Sequence, residues 1–252
     1  MAKQVDSDKT ILGRGGYGEV YYLKHEPKVA YKKSYMECND LKKEFTNWNI
    51  AYQKYIEYTN VHTKFQTLGQ ILEPSNWQLN NSSSCVFQMP RIFSPQGIYS
   101  WQAYIGEVDN PGLDYLKMND DHIRGRYMGP DTLSKNFNVL TLAYTSGVLM
   151  GIVQYGARLD GLDVELIVGK VDSVNKLFLL DFDQTNKWET PANETEEQGL
   201  IGKLSWPLIA EPYFPNIDSK YHGEFVKGYY NAAYFFGYKE LAEKVIKDMV
   251  EI

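Results

Sequence analysis

Three glycines near the start of the chain have the spacing of a loop that could hold phosphate. In "ILGRGGYGEV", Gly13, Gly15 and Gly18 form a G-x-G-x-x-G pattern, with Gly16 between them and Val20 two positions further on. Glycine has no side chain, so the backbone of such a loop can approach a phosphate group closely. A glycine-rich turn without any ligand has the same pattern, and other residues must decide between the two interpretations.

A lysine that could neutralise phosphate charge follows in "KVAYKK". This run is strand-like, and neighbouring residues of a strand point to opposite faces. Ala30 and Lys32 therefore share one face while Lys33 lies on the other, so only one of the two lysines can face a cleft. Beneath a glycine loop, Lys32 would contact nucleotide phosphates. The alternative is an ordinary solvated lysine on the surface.

A helix predicted after this strand supplies an acidic partner for the lysine. Its apolar residues recur at helical spacing, namely Leu41, Phe45, Trp48, Tyr52, Tyr55 and Ile56. Glu44 borders this apolar stripe, whereas Lys42 and Lys43 point away from it. Glu44 is therefore placed for an ion pair with Lys32. Otherwise it is an acid at the boundary of the stripe.

Acidic residues in the second half could bind a metal ion and act on a substrate hydroxyl. "RLDGLDVELIV" contains Asp160 and, five positions later, Glu165, while the strand-like "LFLLDFD" contains Asp181 near its end. Carboxylate oxygens suit Mg²⁺, so Glu165 and Asp181 are predicted to bind Mg²⁺, with Mn²⁺ as an alternative. Asp160 is the candidate catalytic residue, and Asp163 could compete for the role of Asp160 or Glu165.

The order of these residues resembles that of a protein-kinase core. The glycines lie between two strand-like runs, as in kinases, and do not open a helix, as in a dinucleotide-binding loop. "VAYK" resembles the kinase lysine motif, "RLDGLDVE" the catalytic loop and "DFD" the metal-binding D-F-G. Three positions depart from these motifs, because Arg158 replaces a histidine, Glu165 an asparagine and Asp183 a glycine.

The chain also resembles a largely fungal family of uncharacterised domains, some of them fused to zinc fingers. The likeness lies in "ARLDGLDVELIVG…KLFLLDFDQT", "CVFQMPRI", "IRGRYMG" and "AEPYFPNI…FVKGYYNAAY". It covers much of residues 85–235 and implies that Glu165 is a trait of the group. The resemblance implies no particular activity.

These patterns predict an α+β protein with a two-lobed, protein-kinase-like fold. A β-rich N-lobe would span residues 1–93 and would carry the glycine loop and the helix of Glu44. A mainly helical C-lobe would span residues 94–252. The segment around Met89 and Arg91 would form the hinge beside adenine.

Within the second half, the pattern predicts a buried helix over residues 134–155 and a hairpin that ends at Asp181. Two further helices are expected in the last 30 residues. By contrast, the polar segment 184–199 is predicted to be a mobile loop, and "EPSNWQLNNSSS" is predicted to be a loop.

Composition limits the partners that we expect. The net charge is −6 and the pI about 5.3, which argues against a general nucleic-acid surface. No secretory signal and no apolar run long enough for a membrane span are apparent. Cys38 and Cys85 are expected to be free thiols in a reducing compartment. We therefore expect a cytoplasmic protein, with a nuclear location as the alternative, that binds neither nucleic acid nor membrane.

The best functional hypothesis is an ATP-dependent phosphotransferase that acts on a small molecule or an atypical protein substrate. The predicted nucleotide site comprises Gly13, Gly15, Gly16, Gly18, Val20, Ala30, Lys32, Glu44 and Met89. The alternative is a pseudokinase, a nucleotide-binding module that works through a protein partner without transferring phosphate. A third possibility is transfer of nucleotide in place of phosphate.

Overall fold

The computed structural model describes residues 8–14, 18–35, 37–81, 84–93, 101–106 and 126–251. Gly15 and Gly16 of the predicted glycine loop lie outside these residues. The α+β class is confirmed, with a β-sheet in the N-terminal region and a C-terminal part that contains most of the helices.

The strands and helices of the described residues are numbered in chain order. The strands are β1 (Lys9–Arg14), β2 (Gly18–Leu23), β3 (Glu26–Ser34), β4 (Gly69–Ile71), β5 (Ser75–Asn81), β6 (Ser84–Pro90), β7 (Trp101–Ala103), β8 (Arg126–Met128), β9 (Glu165–Val171) and β10 (Val174–Leu180). The helices are α1 (Cys38–Val61), α2 (Pro130–Ser134), α3 (Val139–Gly151), α4 (Glu194–Ala210), α5 (His222–Phe235) and α6 (Lys239–Glu251). A 3₁₀ turn at Thr63–Thr67 follows α1, and a π-helical turn at Ile152–Gly156 continues α3.

The first sheet has the strand order β1-β2-β3-β6-β5, and its neighbouring strands are antiparallel. Strands β1 and β2 flank the glycine loop, and Gly13 lies opposite Val20. The register shifts between Ile11 and Gly13, so the hairpin contains a bulge just before the loop. Gly13 and Gly18 thus lie near the adjoining ends of two paired strands and do not open a helix, while the prediction for Gly15 and Gly16 falls outside the described residues.

One face of this sheet carries the side chains predicted to line the nucleotide site. Lys32 lies opposite Val20 on β2 and Phe87 on β6, while Ala30 lies opposite Met89. Residues directly opposite each other in an antiparallel pair share a face. The alternation predicted for β3 is confirmed, because Lys32 is buried whereas its neighbour Lys33 is partly exposed.

Helix α1 forms because apolar residues recur along one side of it at helical spacing. Leu41, Trp48 and Tyr55 are buried as predicted, and Glu44 is buried beside them. The helix is joined to strand β4 by the Tyr55 hydroxyl, which donates to the carbonyl of Gly69 at 3.0 Å.

The second sheet has the order β4-β10-β9-β7-β8. The predicted hairpin is present as β9 and β10, which are antiparallel, and its turn uses Asp172 and Ser173 with φ of 53° and 70°. Such left-handed residues suit the tight turn of a hairpin. The prediction missed β4, β7 and β8. Strand β4 belongs to the first 93 residues yet pairs in parallel with β10 of the second half.

The helices of the second half differ in part from the prediction. The helix predicted over residues 134–155 begins later than expected, because α2 ends at Ser134 and α3 begins only at Val139. The Asn138 side chain caps α3 by accepting a hydrogen bond from the Thr141 amide at 3.1 Å. The two C-terminal helices are present as α5 and α6. By length and composition alone, Val139–Gly156 could cross a membrane, but 78% of these residues are buried within the protein, as in the core helix of a globular domain.

Two segments predicted to be loops are regular structure. Residues 194–199 open helix α4, because the Asn193 side chain accepts from the Glu196 amide at 3.0 Å and the Glu196 side chain accepts from the Ala192 amide at 2.9 Å. This reciprocal cap outweighs the polar composition. Residues 75–81 form strand β5 beside β6, because pairing with an apolar neighbour decides this strand more than its own residues do.

The two cysteines are not free thiols, and the prediction for them is wrong. Cys38, in the first turn of α1, is bonded to Cys85 on β6 as a disulfide. Sequence spacing could not indicate this pair, because the two residues lie 47 positions apart and meet only in the folded chain. The bond fixes the start of α1 to the first sheet.

Reduction of this disulfide should destabilise the fold. The entropy lost by closing a loop of this length in the unfolded chain corresponds to about 4 kcal/mol. A phosphine reductant is expected to lower the free energy of unfolding of the wild type by roughly that amount in denaturant titrations. The Cys38→Ala/Cys85→Ala variant should unfold identically with and without reductant. Equal midpoints for the wild type in both conditions would contradict the bond.

Gly147 permits close packing of α3 on α5. A Cβ at Gly147 would collide with the carbonyl oxygen of Phe225, and overpacking of this kind costs about 1–3 kcal/mol. Gly202 is the matched control, because a Cβ there would meet no atom within 4 Å in the part of the chain that the structure describes. We expect Gly147→Ala to lower the free energy of unfolding, whereas Gly202→Ala should raise it by up to about 1 kcal/mol through helix propensity. Equal effects would refute the packing role.

Candidate active site

The ammonium group of Lys32 is buried between two carboxylates. Its Nζ lies 2.6 Å from Oε1 of Glu44 and 2.8 Å from Oδ1 of Asp181. The structure thus contains the ion pair predicted between Lys32 and Glu44, and it adds Asp181 as a second partner. Burial lowers the pKa of Lys32, but the charges of Asp181 and Glu44 outweigh this effect and raise it, so the lysine stays charged.

Burial shifts the pKa of Glu44 in the direction opposite to its effect on the pKa of Lys32. Its side chain is 2% exposed, and burial raises its pKa above the ordinary value, Lys32 lowers it, and Asp181 raises it further. Lys32 has two acidic partners, whereas Glu44 shares its single lysine with Asp181. The three groups therefore form one coupled unit and not a simple pair.

Helix α1 also holds the segment that follows Asp181. The Asn47 side chain donates to the carbonyl and the hydroxyl of Thr185 at 3.0 and 3.1 Å. The ring of Trp48 packs against Phe182 with 5.4 Å between centroids. Lys43 donates to the side-chain oxygen of Asn186 at 2.9 Å. Consecutive turns of one helix thus position both Lys32, through Glu44, and the 182–186 segment.

Strained backbone marks the predicted site segments. Asp181, Asp163 and Arg158 have φ of 61°, 60° and 56°, in the left-handed region that residues with a side chain seldom adopt. Strain of this kind persists where the surrounding structure enforces it and is concentrated at functional sites. Asp183, which replaces the glycine of D-F-G, does not have a positive φ. This position in the chain therefore does not require glycine.

The charge of Asp181 raises the pKa values of several other carboxyl groups. Glu165 lies opposite Leu180, next to Asp181 in the strand register. Burial and then the charge of Asp181 raise the pKa of Glu165 to about 7, against a hydrogen bond from Gln102 that lowers it. Burial, and then the charge of Asp181, also raise the pKa of Asp183 to about 6. The same two causes raise the pKa of Asp163. Together these carboxylates can carry more negative charge than the single positive charge of Lys32 offsets.

This acidic surplus suits a hard cation. In the described part of the chain, no group of three histidine, cysteine or acidic residues converges on a metal position. Mg²⁺ usually binds through one or two carboxylates and completes its shell with water and substrate phosphates. Glu165 and Asp181 fit that requirement, and the cation would need further oxygen ligands from a bound phosphate.

The carboxylate of Asp160, the candidate catalytic residue, is enclosed by nitrogen donors. Its Oδ1 accepts from the amides of Asn186 and Leu162 at 2.8 and 3.3 Å. Its Oδ2 lies 3.3 Å from Nδ2 of Asn186 and 3.4 Å from Nζ of Lys203. The side chain is 3% exposed. In the described residues, Asp160 makes no direct contact with Lys32 or Asp181, and it is linked to their segment through Asn186.

Other predicted positions hold the scaffold together. Arg158 packs over Trp188 at 4.7 Å and donates to the hydroxyl of Thr190, so it fixes the segment before α4. Arg91, predicted near the hinge, stacks over Tyr22 at 3.7 Å and donates to a backbone carbonyl. Met89 is buried on the face of Lys32, as expected from the strand register.

The glycines divide into two groups. A Cβ at Gly18 would collide with the carbonyl of Lys33 on β3, so strand packing alone explains this glycine. At Gly13 a Cβ would meet no atom of the described residues within 4 Å, so packing against that part of the chain does not require glycine there. The phosphate interpretation of the loop therefore depends on Gly13 and on the glycines outside the described residues.

The sequence patterns missed several contacts of the site. Asn47 lies on the buried side of α1, one turn after Glu44, and a buried asparagine in an apolar stripe is a signal that could have found it. Asn186 and Lys203 belong to no motif. Their association with Asp160 depends on how the segment after Asp181 and helix α4 fold back over the loop.

Comparison with known proteins finds similarity to solved structures only. No family model and no curated protein matches the chain. Among solved structures, the chain is similar to the kinase domain of PknI from Mycobacterium tuberculosis, with 13% identity, coverage of 96% of each chain and a TM-score of 0.37. Similarity at this level establishes neither a common fold nor a function. The kinase-like fold and the resemblance to the fungal family remain predictions.

The raised pKa of Glu165 predicts how stability changes with pH. A carboxyl group with a folded pKa of about 7 and an ordinary value of 4.5 holds its proton more tightly in the folded state. The stability it contributes is therefore fully present below about pH 4.5 and is lost as the pH rises through 7. Between pH 5 and 8, Glu165→Gln should become more stable relative to the wild type, by up to about 3 kcal/mol. A pH-independent difference in unfolding free energy in chelator-treated buffer would refute this prediction.

Proposed function

We propose that the chain is an ATP-dependent phosphotransferase with a two-lobed, kinase-like active site. The observation that carries this proposal is the buried Lys32 held between Glu44 and Asp181. A lysine fixed by a helix glutamate beside a strand-end aspartate is the arrangement that kinases use to align phosphates and metal. The face of the first sheet that carries Val20, Ala30 and Met89 would receive the adenine and ribose.

Each polar residue of the site would have a defined role. The backbone of the loop from Gly13 to Gly18 would cover the phosphates, and Lys32 would contact them. Glu165 and Asp181 would hold Mg²⁺, or Mn²⁺ in its place, which would neutralise charge on the phosphates. Most of the catalytic effect would come from positioning and charge neutralisation.

Asp160 would orient the acceptor hydroxyl and accept its proton. Three donors from Leu162 and Asn186 fix its carboxylate, so its orientation is set before any acceptor binds. The acceptor would be a small molecule or an atypical protein substrate. We propose a cytoplasmic, or alternatively nuclear, location and no binding to nucleic acid or membrane, although the Cys38–Cys85 disulfide removes the argument from free thiols for such a location.

A pseudokinase is the second candidate, and the engagement of Asp160 favours it. Both carboxylate oxygens of Asp160 already have partners, and the side chain is 3% exposed. The replacements at Arg158, Glu165 and Asp183 point in the same direction. In this alternative the same site would bind a nucleotide and act through a protein partner.

Binding and hydrolysis of ATP with Mg²⁺ test the proposal. Lys32→Ala and Asp181→Asn should each lower the rate of ATP hydrolysis by about 10²–10³-fold, as for other polar groups that stabilise transition-state charge. Lys33→Ala is the matched control, because this adjacent lysine lies on the other face of β3, and it should leave the rate unchanged.

The outcomes separate the candidates. Tight ATP binding that depends on Lys32, without turnover in the wild type, would support the pseudokinase. Turnover that is indifferent to Lys32→Ala and Asp181→Asn would exclude this site as the catalytic centre. Melting temperatures of each variant identify any loss of rate that comes from unfolding.

A further inference from the structure

Lys203 brings a second cation to the candidate site, from an element that no sequence motif indicated. It lies on helix α4, and its Nζ is 3.4 Å from Oδ2 of Asp160. Its side chain is 40% exposed, whereas that of Asp160 is 3% exposed. The lysine therefore reaches a buried carboxylate from the solvent side.

The remaining donors to Asp160 are two backbone amides and one short side chain, whereas Lys203 reaches it with a long side chain. Leu162 and Asn186 contribute backbone amides, and Asn186 adds its side-chain amide. Asn186 is itself held by Lys43 of helix α1. These contacts fix the carboxylate without needing the lysine. A long, half-exposed side chain can keep one ammonium hydrogen on Asp160 and direct the others to a ligand.

Lys32 cannot supply charge at this end of the site. Its ammonium is already bonded to Glu44 and Asp181, and the described residues show no contact between it and Asp160. A phosphoryl group that approached Asp160 would therefore meet a negative carboxylate. Unless a cation lies at this end of the site, in addition to the Mg²⁺ proposed at Glu165 and Asp181, the two would repel each other.

We propose that Lys203 is a catalytic residue that contacts the phosphoryl group during transfer. This inference rests on the proposed function and adds a residue to it. The ammonium of Lys203 binds an equatorial oxygen of the phosphoryl group while it remains beside Asp160. It thereby offsets the repulsion and stabilises the charge of the transition state.

The step balances without any further reactant. The acceptor oxygen forms a bond to the γ-phosphorus while the bond from that phosphorus to the bridging oxygen of ATP breaks. The electron pair of the broken bond leaves with ADP, and the proton of the acceptor hydroxyl passes to Asp160. With water as acceptor, the products are ADP and inorganic phosphate. Lys203 stays protonated throughout.

The test compares two lysines. Lys203 lies on helix α4 and pairs with Asp160, whereas Lys244 lies on helix α6 and pairs with Glu197 of α4. Lys203→Ala should lower kcat for ATP hydrolysis by about 100-fold while the Kd for MgATP changes by less than about twofold, because the contact forms in the transition state. Lys203→Arg keeps the charge and should recover most of the rate. Lys244→Ala is the control, because it removes a half-exposed lysine 2.7 Å from Glu197 of the same helix, and its kcat should match the wild type.

Each outcome distinguishes a catalytic role of Lys203 from a structural one. If Lys203→Ala keeps wild-type kcat while Lys32→Ala loses it, the pair with Asp160 is structural, and the inference is overturned while the proposed function stands. If the wild type hydrolyses no ATP, both fall together. If Lys203→Ala melts at a lower temperature than Lys244→Ala, the kcat of the Lys203→Arg variant is decisive. Failure of arginine to restore kcat in a fully folded protein also overturns the inference.

Discussion

Burial of the Lys32 ammonium is the constraint on which the arrangement of the site depends. A buried charge costs several kcal/mol unless it is paired in good geometry. Its two partners come from different parts of the chain, since Lys32 lies on β3, Glu44 on α1 and Asp181 directly after β10. Loss of either carboxylate would remove one of the two hydrogen bonds that the described residues provide to this ammonium group. The first sheet, helix α1 and the second sheet are therefore held in one relative position.

Helix α1 transmits this constraint to the rest of the molecule. Its first turn is bonded to β6 through the Cys38–Cys85 disulfide, and its last half is joined to β4 through Tyr55. Between these points lie the residues that hold Lys32 and the segment after Asp181. A helix fixed at both ends can keep Glu44 buried against repulsion from Asp181, which a free helix would relieve by moving away.

The sequence predicted the parts of the site that depend on local periodicity. Alternation in β3 assigned Lys32 and Lys33 to opposite faces, and helical spacing placed Glu44 beside the apolar stripe of α1. Neither pattern specifies contacts between distant segments. The disulfide, the strand β5 and the environment of Asp160 depend on such contacts. Helix α4 was missed for a local reason, because its cap at Asn193 lies in a segment whose acidic composition resembles a loop.

The electrostatics of the site favour the proposed role in ligand binding over that of a purely structural ion-pair network. A buried pair kept for stability alone gains little over apolar packing, and a surplus of acids makes it worse. In this site the pKa values of Glu165 and Asp183 are raised to about 7 and about 6, so their ionisation near neutral pH costs stability. In the described residues, Oδ1 of Asp183 is buried without a hydrogen-bond partner. A cation bound at these carboxylates would relieve both costs, and under the proposed function phosphate oxygens would complete its ligand shell.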